Sequence, residues 1–221
     1  MENPLILASG SPRRKELLAM LGVPFLVDSS GDFTEFTGEQ IQNPAELVLK
    51  NAEGKAHAAL PKHPNARILG VDTVVFCANE NTNANLLDGQ KGKILEKPKD
   101  VEDAFRMLSL LQGRSHQVFT AQVLIDASGS LDAGTPLSPP RELHSVDQST
   151  VTFLPMTPEQ IRAYIATEEP MDKAGAYAAQ GIGAQFIQKI DGDFFTVVGL
   201  SVSRFMQLHT ELDQSGPSPV K

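Results

Sequence analysis

The apolar positions change rhythm along the chain, and each change marks an element. Residues 4–9 form a short apolar run without helical spacing, which predicts a buried strand. Leu17, Leu18 and Leu21 then recur at helical intervals. Ser11 stands at the N-cap position, Pro12 at the first helical residue and Gly22 at the stop, so a helix is expected from Pro12 to Leu21. A short strand at 24–27 follows, and the polar stretch from Ser29 to Gln42 reads as a loop. Asn43-Pro44 opens a helix through Leu47, Val48, Ala52, Ala56 and Ala59, closed by Pro61. Arg67 to Phe76 is a β-branched run that reads as a buried strand, and residues 93–98 return as another.

Asp100 caps the next helix, with Ala104, Met107, Leu108 and Leu111 on its apolar face, Asp103 in the capping-box position and Gly113 at the end. Two long strands, 116–127 and 144–154, are joined by a Ser/Gly/Pro-rich stretch expected to be disordered. Thr157-Pro158-Glu159-Gln160 spells a capping box for a helix to about Thr167. Asp191-Gly192 between two strand-like runs predicts a hairpin, and a last helix spans Leu200 to Leu212. Strands and helices mix without strict alternation, so the expected fold class is α/β with a mixed sheet flanked by helices. The expected organisation is a single domain over 1–212, with insertions near 78–92 and 128–144 and a tail at 213–221.

Composition narrows the function. A net charge of −8 argues against a nucleic-acid polymer as partner, but leaves room for a small anion in a locally basic cleft. No apolar run is long enough for a membrane span, and no secretory signal precedes the first strand. The one cysteine, Cys77, fits a reducing compartment, so a cytoplasmic location is expected.

Arg13 and Arg14 occupy the first turn of a helix, where the dipole favours acids. A phosphate bound there would explain them, and Ser9-Gly10-Ser11 would let it approach the backbone. The alternative is ordinary surface pairing, Arg13 with Glu16 for instance. Asp72 is the second anomaly, an acid in an otherwise apolar strand. Burying an unpaired charge is costly, so it serves as a metal ligand, a general base or one half of a structural contact. By themselves Glu35, Lys55 and Lys97 read as surface residues, and the glycine-punctuated stretch 168–186 as either a ligand wall or a connector. There is no phosphate-loop motif, nucleophile elbow or zinc-spaced histidine pair. Acids and bases without a nucleophile point to Mg²⁺-assisted attack of water on a phosphate ester.

Six motifs in order, LASGSPRRKELL, GVDTVV, ILEKP, LSLLQGRSHQVFT, EPMDKAGAYAAQG and DGDFFTVVGL, resemble the Maf (septum-formation) family of nucleotide pyrophosphatases over residues 4–212. The resemblance implies an elongated, curved mixed sheet with two lobes about a central cleft, of the Maf-like and inosine-triphosphatase-like kind, and a homodimer. It implies hydrolysis of a nucleoside triphosphate to the monophosphate and pyrophosphate with a divalent cation, Mg²⁺ first, with Mn²⁺ and Co²⁺ as alternatives. By position, Asp72 matches the general base, and Ser9, Ser11, Arg13, Arg14, Lys55 and Lys97 match phosphate-binding residues. Glu35 matches the loop acid, which joins Asp72 as metal ligand; a one-residue shift would make it Asp32. Arg13, Thr73 and Gln180 match the specificity positions of the dTTP/UTP branch. Val71, Ala178-Ala179 and Ser201 depart from the family pattern without removing a charge. Two other functions are carried as alternatives: a non-catalytic nucleotide sensor acting through a protein partner, and a phosphohydrolase that releases orthophosphate.

Overall fold

The computed structural model describes residues 4–29, 31–78, 92–127 and 140–214. Its strands are β1 (Leu5–Leu7), β2 (Phe25–Val27), β3 (Arg67–Ala78), β4 (Gly92–Leu95), β5 (Ser115–Asp126), β6 (Arg141–Phe153) and β7 (Ile187–Asp191). Its α-helices are α1 (Pro12–Met20), α2 (Pro44–Ala59), α3 (Val101–Leu111), α4 (Pro158–Ile165), α5 (Phe194–Val198) and α6 (Val202–Gln214). The strands form one sheet in the order β2-β1-β3-β5-β6-β7, with β4 also against β3. β1 runs parallel to β2 and β3, and every other pairing is antiparallel, so the expected mixed sheet is what forms.

Alternation along β3 distributes the core. Ile68, Val74 and Phe76 pack with Leu47, Val48, Ala52 and Ala56 of α2. Leu69 and Val71, one residue out of phase, pack on the opposite face with Leu17 and Leu18 of α1 and Phe205 and Leu208 of α6. Further along the strand, Val75 and Cys77 join a third cluster with Leu108 and Leu111 of α3 and Ile161 and Tyr164 of α4. One edge of β3 is covered in two pieces. β1 pairs with Arg67–Leu69 and β4 with Val75–Ala78, so Gly70–Val74 have no strand on that edge. A cleft lined by Asp72, Thr73 and Val74 opens at this gap.

Several expectations need correction. Asp191-Gly192 does not turn a hairpin, because Asp193 accepts the backbone N–H of both Phe195 and Thr196 and starts α5. Local capping wins over the strand-like composition of residues 194–198. Asp103 accepts the N–H of Lys99 rather than that of Asp100, so α3 has a side-chain cap without the reciprocal half of a capping box. The full box at Thr157 and Gln160 does form. β6 begins at Arg141, inside the stretch assigned to the second insertion, because Arg141–Leu143 pair with Leu124–Asp126. Residues 79–91, 128–139 and 215–221, most of the expected insertions and tail, lie outside the described residues.

Candidate active site

The α2 side of the cleft depends on a close approach. A Cβ on Gly70 would lie 2.1 Å from the backbone oxygen of Ala52, so glycine lets α2 settle directly on β3. Asn51 and Lys55, one helical turn apart, thereby reach the same carboxylate. Lys55 Nζ lies 2.6 Å from Asp72 Oδ1, and Asn51 Nδ2 donates to Asp72 Oδ2 at 3.3 Å. Asp72 is only 6% exposed, which makes this counter-ion necessary. Asn51 also donates to the carbonyl of Phe36 at 3.0 Å and accepts its N–H at 2.8 Å. This pins the 31–42 loop and brings Glu35 Oε2 to 3.1 Å from Lys55 Nζ. Glu35 lines the cleft and Asp32 does not.

Thr73 points to the other face and meets Arg14. The Arg14 guanidinium donates to Ser9 Oγ at 2.8 Å, to Thr73 Oγ1 at 3.1 Å and to the carbonyl of Gly199 at 2.9 Å. It thus joins the end of β1, the middle of β3 and the end of α5. Burial lowers its pKa to about 10, with Asp72 pulling the other way. Thr120 donates its hydroxyl to the carbonyl of Thr196 at 2.8 Å. The 2.9 Å bond between Thr73 and Thr120 is therefore donated by Thr73, which has no hydrogen left for a ligand. Arg13 is more open and sits 3.8 Å from Asp172. Ser11 occupies the N-cap of α1 but makes no side-chain cap, and its backbone N–H donates to Ser9 Oγ at 3.3 Å.

These residues border a cleft of about 590 Å³, whose far wall is Asp172–Ala174, Tyr177–Ala179 and Val197–Gly199. Lys97 lines it and is exposed. Gln180 does not line it; it is exposed and lies one residue beyond Ala179. The expected basic cleft is charge-balanced instead. Arg13, Arg14, Lys55, Lys97 and Lys173 face Asp28, Glu35, Asp72, Glu96 and Asp172. Among these, Glu96 escaped the sequence reading, although it stands beside Lys97 in the LEKP motif. Its carboxyl is pushed above the usual range by desolvation and by the charges of Asp72, Glu35 and Glu39, against an N–H from Gly38. Asn51 was missed too, its signal being a polar residue on the apolar face of α2 in register with Lys55.

The donor set fits a divalent cation held jointly with substrate. Among the described residues no three acidic, His or Cys groups stand close enough to hold an ion unaided. Mg²⁺ ordinarily takes one or two carboxylates and completes its shell with phosphate oxygens and water. Asp72 and Glu35 are two carboxylates so placed, 2.6 and 3.1 Å from the same Lys55 ammonium.

Comparisons with known proteins identify the family. The family described as Maf-like protein matches residues 4–212. The chain is 43% identical over 213 residues to a dTTP/UTP pyrophosphatase of Bacillus velezensis, covering 96% of this chain and 98% of the relative. It is 40% identical to proteins of the same name from Bacillus cytotoxicus, covering 96% and 97%, and from Symbiobacterium thermophilum, covering 94% and 93%. On the match across nearly its whole length, the chain belongs to the Maf-like protein family.

Proposed function

We propose that this chain is a nucleoside triphosphate pyrophosphatase that converts dTTP and UTP to their monophosphates and pyrophosphate. The observation that carries the mechanism is the buried Asp72 carboxylate, held by Lys55 and Asn51 beside Glu35 at the gap in the sheet. The names of the relatives support the reaction and its pyrimidine preference.

Asp72 accepts a proton from water as its oxygen bonds to the α-phosphorus. The bond from that phosphorus to the bridging oxygen breaks, and pyrophosphate leaves with the electron pair. Lys55 and Lys97 offset charge on the departing group, while Arg13, Ser9, Ser11 and the uncommitted N–H groups of Arg14 hold the remaining phosphate oxygens. Proteins of this family are generally metal-dependent. In this reading the ion would be Mg²⁺, with Mn²⁺ or Co²⁺ as substitutes, and Asp72 and/or Glu35 would hold it together with phosphate oxygens. When bound, it supplies charge neutralisation that a charge-balanced cleft lacks for a polyanionic substrate. Arg13, Thr73 and Gln180 carry base selection, Thr73 through its contact with Arg14.

The single domain over 1–212, a homodimer and a cytoplasmic setting belong to the same proposal. The family match over 4–212 supports the first, and no helix among the described residues is long and apolar enough to cross a membrane. A nucleotide sensor is less favoured, since the relatives that match nearly the whole chain carry the name of an enzyme. The test is ion-exchange separation of products after incubation with Mg²⁺ and each common nucleoside triphosphate. Equimolar dTMP or UMP and pyrophosphate, with little purine turnover, is expected. Orthophosphate with a nucleoside diphosphate would place the cut at the wrong bond, and binding without turnover would favour the sensor.

A further inference from the structure

The segment after α4 is wound around one carboxylate outside the cleft. Glu169 Oε1 accepts the backbone N–H of Ile182 at 2.9 Å. Its Oε2 accepts the N–H of Gly183 at 2.8 Å and the Tyr164 hydroxyl at 2.7 Å. The Tyr164 oxygen accepts in turn the N–H of Ala178 at 3.0 Å. Residues 178–183 are thus held as a curl, closed at one end through Tyr164 and at the other by Glu169 directly.

The curl has no room for side chains facing inward. A Cβ on Gly181, whose φ is +106°, would meet Glu169 Oε1 at 2.1 Å, and one on Gly183 would meet the Tyr164 hydroxyl at 2.5 Å. Partial burial pushes the Glu169 carboxyl up, but the Tyr164, Ile182 and Gly183 donors, helped by Lys173, hold it below the usual carboxylate range. It is therefore an anion solvated by the protein's own backbone. Glu169 does not line the cleft, whereas Ala178 and Ala179, which the curl positions, do. Arg13, Arg14, Lys55, Glu35 and Asp72 gather about α1 and β3; the far wall carries Asp172 and Lys173, but at Tyr177–Ala179 it offers an aromatic ring and two methyl groups, a chemistry suited to a nucleobase.

We propose that Glu169, acting through Tyr164, is a specificity-determining positioning residue that fixes the Ala178–Ala179 wall and the adjoining Gln180 without touching the phosphate end of the site. This rests on the nucleotide-hydrolase reading above. Placement errors of the order of 1 Å are enough to change turnover substantially.

Glu169→Gln replaces one acceptor with a donor facing a backbone N–H, and Tyr164→Phe removes the link to Ala178 while keeping the ring against Phe186. For the full chain with Mg²⁺, kcat/KM for dTTP, UTP and GTP and the Kd of inorganic tripolyphosphate would be compared. In both variants kcat/KM for dTTP and UTP is expected to fall about tenfold, the scale of one buried donor left unsatisfied. GTP turnover and tripolyphosphate affinity are expected to change less than about twofold, as for sites remote from a perturbation. An equal fall for all three nucleotides, or tripolyphosphate affinity lost in step, would overturn the proposal and leave only a structural role. If Glu169→Gln fails to fold, Tyr164→Phe decides. A wild-type chain without pyrimidine preference would sink the functional reading itself. Wild-type preference with unchanged ratios in Tyr164→Phe would sink only the role of Glu169.

Discussion

The two adjacent arginines of α1 are expected to differ in what their substitution does to stability. Arg14 makes three directed bonds from one planar group to Ser9, Thr73 and Gly199. A lysine at this position has one ammonium on a flexible stem and can satisfy one of those acceptors well. Hydrogen bonds to charged groups contribute about 1.5–3 kcal/mol each. Two lost at the lower end amount to about 3 kcal/mol, and screening of this partly buried group reduces that to about 2 kcal/mol. For a chain of this size the corresponding fall in Tm is about 4–8 °C. Arg13→Ala removes only an open pair, with Asp172 at 3.8 Å, and is expected to change stability by less than about 0.5 kcal/mol. The two should separate by thermal unfolding and urea denaturation, with KM for dTTP measured alongside. Arg13→Ala is expected to raise KM at unchanged Tm, whereas Arg14→Lys lowers Tm as well as activity. An Arg14→Lys protein as stable as wild type, or an Arg13→Ala protein destabilised equally, would show that the three Arg14 bonds do not carry this stability.

Two further outcomes follow from buried groups away from the reacting atoms. His116 is 2% exposed and hydrogen-bonded to Tyr177 at 2.9 Å, and burial lowers its pKa from 6.5 to about 3. The unfolded chain takes up the proton first, so stability is full above about pH 6.5 and is lost as pH falls towards 3. Between pH 7 and 5 this one group costs about 2 kcal/mol; His116→Gln, measured by urea midpoints at both pH values, should lose that part of the slope, and an unchanged slope would exclude His116 as its source. Gly70→Ala would force α2 away from β3, where the new methyl meets the Ala52 carbonyl at 2.1 Å. A loss of about 3 kcal/mol is expected from such overpacking, together with impaired turnover as Lys55 and Asn51 draw back from Asp72, and wild-type stability would contradict the close-packing account.

Much of the frame was legible because local rules governed it. The Asn43 and Thr157 caps and the apolar faces of α2 and α3 sit where spacing and capping chemistry put them. The hairpin at Asp191-Gly192 was misread because a single side chain, Asp193, redirects a segment whose composition favours a strand. The site was legible in part. Asp72 and Arg14 are anomalous in any reading of their elements, but Arg14 turns inward rather than simply out to a phosphate. The interrupted edge of β3 depends on which strands pair where, and no local pattern contains it. Glu96 and Asn51 were missed for the same reason, since their meaning comes from what the gap places opposite them.

The proposed mechanism has Asp72 activate the water that attacks the α-phosphorus. Its most direct measurement is single-turnover hydrolysis of dTTP with Mg²⁺ by wild type and Asp72→Asn, with nucleotide affinity measured in parallel. Wild type is expected to give equimolar dTMP and pyrophosphate. The Asn variant is expected to be slower by about 10²–10⁴-fold, the usual worth of a general base, with binding retained. An Asn variant that turns over at the wild-type rate would exclude Asp72 as the general base.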